Sequence, residues 1–179
     1  MIAFPASPAI AEPDLPAAHE FGSFHPFLKG VFSQWHPTPF EVEGVAYNCA
    51  EQYMMAAKAS LFGAEAIYSQ IMGSDDPALH KRLGAQVKSF DSATWSRWRY
   101  HIVHTASIAK FSQNAGARRR LRNTAPSMLV EANPRDWVWG NGLAADDPAT
   151  HDPNQWRGTN FLGRILTLVR DNLSEEEML

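Results

Sequence analysis

The segment Pro39-Phe40-Glu41-Val42-Glu43-Gly44-Val45-Ala46-Tyr47 alternates apolar and polar residues on both sides of Glu43-Gly44, the pattern of a small β-hairpin. The periodicity then changes. Ala50 to Phe62 is rich in Ala, Met, Glu and Lys and is closed by Gly63, which predicts a helix with a glycine stop. A second helix is expected from Ala64 to Met72, ended by Gly73. Asp76-Pro77 supplies an N-cap and first-turn pair for a third, running to about Lys88. Asp91 or Ser92 can cap the long segment Ala93 to Phe111, in which Trp95, Trp98, Ile102, Thr105, Ile108 and Ala109 recur at helical spacing. Further helices are expected over Ala115 to Asn123 and Phe161 to Leu173, with a short strand at Met128 to Glu131. Pro134 to Gly158 reads as an irregular surface rich in Pro, Gly and Asp. The fold class is therefore mainly α, a compact single domain with a small β-hairpin.

Residues 1–20 carry Pro5, Pro8, Pro13 and Pro16 among many alanines, so they cannot sustain a helix and are expected to form a flexible extension. The ordered domain should span residues 21–173, and residues 174–179 should form an acidic tail. A chain of 179 residues with 45% hydrophobic and 20% charged positions has the balance of a folded domain and can bury a sizeable core. No apolar run approaches the roughly 20 residues needed to span a bilayer, and the N-terminus lacks a signal-peptide pattern. A cytoplasmic location is expected, and the single Cys49, with no paired Cys/His spacing for zinc, fits a reducing compartment. The formal charge of −3 argues against a stable nucleic-acid complex. Arg118, Arg119, Arg120 and Arg122 are a local exception, readable as a solvated helix face or as a rim that attracts phosphate.

Candidate chemistry starts with Glu51 and Lys58. Seven residues apart on a helix, they project within about 20° of each other and roughly 10 Å apart along the axis, so they can line opposite ends of one pocket. The same residues also suit a first-turn acid stabilised by the helix dipole and a solvated cation. In Val130 to Gly142, a carboxylate (Asp136), two indoles (Trp137 and Trp139) and two glycines cluster in a turn-prone stretch able to hold a sugar or a base. A tryptophan-anchored loop with Asp136 capping a turn has the same composition. Thr159 or Asn160 can cap the last helix, or its exposed amides can receive phosphate. His101 and His104 lie three apart without a third ligand at metal-site spacing, and neither a Ser-centred nucleophile elbow nor a Walker-type loop is present. Neither a metal nor an organic cofactor is expected.

In order along the chain, Phe32-Ser33-Gln34-Trp35-His36-Pro37, Ala50-Glu51-Gln52-Tyr53-Met54-Met55-Ala56-Ala57-Lys58-Ala59, Ala109-Lys110-Phe111-Ser112-Gln113-Asn114, Leu129-Val130-Glu131-Ala132-Asn133-Pro134-Arg135-Asp136, Trp139-Gly140 and Trp156-Arg157-Gly158-Thr159-Asn160 resemble the YbiA-like branch of the NADAR family. The resemblance runs from about Val31 to Leu173. It implies a compact, mainly helical fold and hydrolysis of N-glycosidic bonds in a phosphorylated ribosyl small molecule. For YbiA-like members the implied substrates are ribosylamino-pyrimidine phosphates of riboflavin synthesis; other branches act on ADP-ribose attached to guanine. It implies Glu51, Lys58 and Asp136 as catalytic residues, and Ser33, Trp35, Trp95, Trp139, Gly140, Gly158 and Asn160 as substrate-binding residues. The chain departs from the pattern at Gln34, usually Asn, at Ala85, usually Arg, and at Ala125, usually Gly.

The chemistry also follows from the bond itself. Loss of an amine from ribose C1 leaves an oxocarbenium-like centre, so a carboxylate must stabilise positive charge or activate water while an acid assists the departing base. Glu51 and Asp136 can divide these roles. Alternatively, a desolvated Lys58 amine can attack C1 of a ring-opened ribosylamine and form a Schiff base that water hydrolyses. The competing class is a non-catalytic module that binds ADP-ribose or a related nucleotide. Oligomeric state is not legible.

Overall fold

Residues 1–175 are described by a computed structural model of the protein. They form the strands β1 (Phe24–Phe27), β2 (Phe40–Val42), β3 (Val45–Tyr47) and β4 (Met128–Glu131). The helices are α1 (Ala50–Leu61), α2 (Glu65–Met72), α3 (Pro77–Gly84), α4 (Ser92–Gln113), α5 (Ala115–Arg122) and α6 (Phe161–Glu175), with short 3-10 turns between them. The fold is mainly helical with small sheets, as the periodicity predicts. Two compact units are formed, one from Met1–Ala11 with Gln34–Gln113, the other from Glu12–Ser33 with the chain from Asn114 onward.

In the first unit, β2 and β3 pair antiparallel in the register Phe40↔Tyr47, Glu41↔Ala46, Val42↔Val45. Glu43 and Gly44 both take positive φ, 50° and 77°, as a two-residue hairpin turn of matching twist requires. Helix α1 is the centre of this unit and packs on α2, α3 and α4. Its buried residues run from Ala50 to Ala57 without a break, and Ala56, Ala57 and Ala59 are wholly inaccessible, so small side chains let neighbouring backbones close in around it. Gly84 of α3 seats on Met55: a Cβ there would overlap the Met55 sulfur. Asp76 caps α3 by accepting the Ala78 amide at 2.9 Å, and Asp91 caps α4 by accepting that of Thr94 at 2.7 Å. Helix α3 ends at Gly84, earlier than its polar run suggests, consistent with the low helix propensity of glycine.

In the second unit, β1 pairs parallel with β4 in the register Phe24↔Met128 to Phe27↔Glu131. Strand β1 is not foreshadowed by its sequence, because Phe-His-Pro-Phe is too short to show a period and its partner lies about a hundred residues away. Met128, Leu129 and Val130 are wholly buried and α6 packs against them. Gly163 brings α6 onto the Leu129 carbonyl, while Thr167 Oγ1 accepts the Leu129 amide at 3.1 Å. Arg170, also buried, donates to the Ser127 carbonyl and to Thr124 Oγ1.

The first twenty residues, expected as a loose extension, make specific contacts. In the first unit the Ile2 amide donates to Ser60 Oγ at 2.9 Å, Phe4 meets Trp98 edge-on at 5.1 Å, and the Ala9 amide reaches His101 Nδ1 at 3.3 Å. In the second unit Leu15 is buried, and the Leu15 and Pro16 carbonyls accept from the Arg164 guanidinium. Isolated apolar residues and backbone amides and carbonyls make these contacts, with only the short 3-10 turns Glu12–Asp14 and Ala18–Glu20 as regular structure. Helix α6 continues to Glu175, and the rest of the expected acidic tail lies outside the described residues. Among the described residues no helix is long and apolar enough to cross a membrane.

Candidate active site

At the start of α1 the Glu51 amide donates to the Gln34 carbonyl at 3.0 Å, and the side chain of Glu51 is buried, with 4% of the residue exposed. Its neighbour Gln52 fastens this end of the helix: Oε1 accepts the Asn48 amide at 2.7 Å, and Nε2 donates to the carbonyls of Ile71 and Ser74. Gln34 itself is buried and its Nε2 reaches the Met54 sulfur at 3.4 Å. Two turns further on, Lys58 is half-buried, with Nζ 4.5 Å from the centroid of Phe90 and 5.7 Å from that of Trp95. Burial lowers the Lys58 pKa below its ordinary value, against the opposing pull of Glu51. Desolvation of the ammonium wins, so its neutral form is more accessible than that of a surface lysine. Helix α1 thus joins a buried carboxylate to a lysine walled by aromatic rings, of which Trp95 is one. Trp35 is 42% exposed, with the Lys81 ammonium 6.0 Å from its ring centroid.

Lys110 is absent from the candidates above although it stands in the motif Ala109-Lys110-Phe111. It is only 2% exposed, and its Nζ lies 5.2 Å from the Phe111 ring centroid. Burial brings its pKa down to about 8, with the nearby Cys49 acting in the opposite direction. Cys49, the residue before α1, is pushed up by burial and also by Glu51, while Lys110 pulls it down. A lysine within an otherwise apolar helix segment is the signal that could have marked this position.

In the second unit, Asp136 Oδ1 accepts the amides of Val138 at 2.9 Å and Trp139 at 2.8 Å. The residue expected as a second catalytic carboxylate is therefore committed, at one oxygen, to capping a turn. Asn160 departs further from its expected substrate-binding role. It is wholly buried at φ 51°, its Oδ1 accepting the Glu131 amide at 2.9 Å and its Nδ2 donating to the Leu129 carbonyl at 3.0 Å. Both ends of the amide tie β4 to the start of α6. Gly140 and Gly158 are packing positions: a Cβ on Gly140 would come 2.9 Å from the Glu131 and Asp136 carbonyls, and one on Gly158 would lie 2.7 Å from Trp137 Cα. Trp139 is half-buried on this loop. Ser33, also half-buried, donates its amide to the Gly30 carbonyl at 3.0 Å. Ala85 is exposed immediately after α3. Among the described residues no group of three or more His, Cys, Asp or Glu is placed to hold a metal ion.

The N-glycosidase R617 of Acanthamoeba polyphaga mimivirus is 38% identical over 146 residues, covering 79% of this chain and 86% of the viral protein. A riboflavin biosynthesis protein of Vibrio vulnificus is 26% identical over 146 residues, 82% of this chain and 36% of that longer protein. The NMR structure of the E. coli protein YbiA superposes with a TM-score of 0.73 at 27% identity, covering 87% of this chain and 88% of YbiA. The NADAR domain matches residues 23–174, the span containing both α1 and the Asp136 loop, and the chain belongs to the NADAR family.

Proposed function

We propose that this chain hydrolyses the bond between a base amine and ribose C1 in phosphorylated ribosylamino-pyrimidine intermediates of riboflavin synthesis, releasing ribose 5-phosphate. The reaction class is that of a NADAR-family hydrolase and is supported by likeness to the viral N-glycosidase; likeness to a riboflavin biosynthesis protein supports the substrate.

The observation that carries the mechanism is the placement of Lys58 against Phe90 and Trp95, on the helix that buries Glu51. In the ring-opened substrate, C1 is an imine carbon of the base amine. The neutral Lys58 amine adds to C1 to give an aminal, the C1–base nitrogen bond then breaks, and the base leaves as a free amine that has gained both protons of the attacking amine. Glu51 is the group that carries these protons in turn from the attacking amine to the departing nitrogen. Water then adds to the Lys58 Schiff base, the C1–Nζ bond breaks, and ribose 5-phosphate leaves with a free aldehyde at C1. Substrate and one water become two products and the lysine is restored. Lys58 and Glu51 do the chemistry, and Asp136 caps its own turn.

The test is incubation of the purified protein with ribosylamino-pyrimidine phosphates and, separately, ADP-ribosylated guanosine, with products separated by chromatography. Release of ribose 5-phosphate from the first set supports the proposal. Release of ADP-ribose alone moves the substrate to modified guanine, and release of neither from a protein that still binds the compounds leaves a binding module.

A further inference from the structure

Among the described residues Trp137 is the most exposed large apolar residue, at 58%, yet its backbone is held from several sides. Its carbonyl accepts the Thr159 amide at 3.0 Å. The preceding Asp136 caps the turn at Val138 and Trp139, and the Val138 carbonyl accepts from Thr159 Oγ1 at 2.5 Å and from the Phe161 amide at 3.3 Å. Glycines allow this closeness. A Cβ on Gly158 would lie 2.8 Å from the Trp137 carbonyl oxygen. At Gly142, φ is 76°, and a Cβ would meet Arg157 Cβ at 2.8 Å and Trp137 Cδ1 at 3.1 Å.

The indole of Trp137 and the base of the Arg157 side chain therefore both lie against one bare stretch of backbone at Gly142. Arg157 is itself fixed at its base, its amide donating to the Asn141 carbonyl at 2.9 Å, while its side chain is exposed. An indole held outward on a pinned backbone gains nothing for the core. It is suited to stacking a flat ring at small entropic cost, and the guanidinium of Arg157, whose Cβ lies by the same glycine, is suited to phosphate.

We infer that Trp137 and Arg157 form a recognition point for an aromatic base carrying a phosphate, with the base stacked on the indole and the phosphate bound by the guanidinium. The choice of a nucleotide-like ligand rests on the glycosidase reading; the pairing of the two side chains does not.

The experiment measures equilibrium binding of uridine 5′-monophosphate, adenosine 5′-monophosphate and unphosphorylated uridine to the whole chain by calorimetry, with glycosidase turnover followed in parallel. Trp137→Ala should weaken both monophosphates about tenfold or more, in line with the usual cost of losing a stacking platform, and Trp137→Phe should restore most of the loss. Arg157→Gln should weaken the monophosphates and leave uridine unchanged. Circular dichroism establishes that each variant is folded, and a variant that fails this check is replaced by Trp137→Leu or Arg157→Lys. No saturable binding of either monophosphate to the parent, or binding unchanged in folded Trp137 and Arg157 variants, overturns the inference even if turnover is found. Monophosphate binding that depends on both residues in a protein without turnover leaves this site standing and sinks the glycosidase reading instead.

Discussion

The Nζ of Lys58 lies 4.5 Å from the centroid of the Phe90 ring, and that contact closes one side of a lysine whose charge is already disfavoured by burial. Phe90 is 43% exposed, so its ring lies at the surface beside Lys58. Removing it should admit water, raise the Lys58 pKa towards its ordinary 10.5, and leave less neutral amine at a given pH. Turnover by a lysine nucleophile rises with pH through the folded-state pKa, which here lies below 10.5. Phe90→Ala should move that rising limb to higher pH. A pH–kcat profile checks this, and an unmoved limb would remove the shielding role.

Lys58→Arg separates chemistry from charge. A guanidinium stays protonated and cannot form a Schiff base, so kcat should fall at least about a hundredfold while phosphate affinity is partly kept. Borohydride added during turnover should trap a substrate-derived adduct on the peptide containing Lys58, read by mass spectrometry. Near-normal kcat in the variant, with no adduct in the parent, would eliminate the covalent route.

Asp136 offers the complementary case. Asparagine retains an oxygen for the Val138 and Trp139 amides but loses the negative charge, so Asp136→Asn should keep most of kcat. Asp136→Ala removes the cap and should cost about 1 kcal/mol of stability. Denaturant melts and steady-state kinetics on both variants test this; loss of turnover in a stable Asp136→Asn protein would return the residue to the chemistry.

Asn160→Ala should destabilise the fold by roughly 2–4 kcal/mol, since it strands the Glu131 amide and Leu129 carbonyl and puts alanine at a φ of 51°. The denaturation midpoint should drop clearly, while the protein that remains folded turns over normally. A variant of parental stability that has lost substrate affinity would contradict the structural role.

His104 has its pKa lowered to about 4, first by burial and then by His101. Between the ordinary 6.5 and about 4 the unfolded chain takes up the proton before the folded one. His104 therefore leaves stability unaffected above that window and reduces it progressively as pH falls through it, by on the order of 2 kcal/mol after solvent screening. His104→Gln should lose less stability between pH ~7.5 and ~4.5 than the parent in paired urea titrations. Equal losses would show that other groups carry the acid sensitivity.

Local pattern was enough to determine most helices, the hairpin at Glu43-Gly44, the Asp76 cap and the shared helix of Glu51 and Lys58, because each depends on residues within a turn or two. Strand β1 was beyond it, since Phe24–Phe27 exists as a strand only by pairing with Met128–Glu131. The roles of Asp136, Asn160, Gly140 and Gly158 also required the tertiary structure. Their residue types suit a ligand or a tight turn equally, and the neighbouring carbonyls and amides reveal their structural tasks. Lys110 shows the same division: sequence shows a cation in a helix, while enclosure from the surrounding fold drives its pKa down to about 8. Burial is a property of everything packed around a side chain, and so the sequence determined which groups were available while the tertiary structure decided which were desolvated, which were tied to backbone and which were left to act.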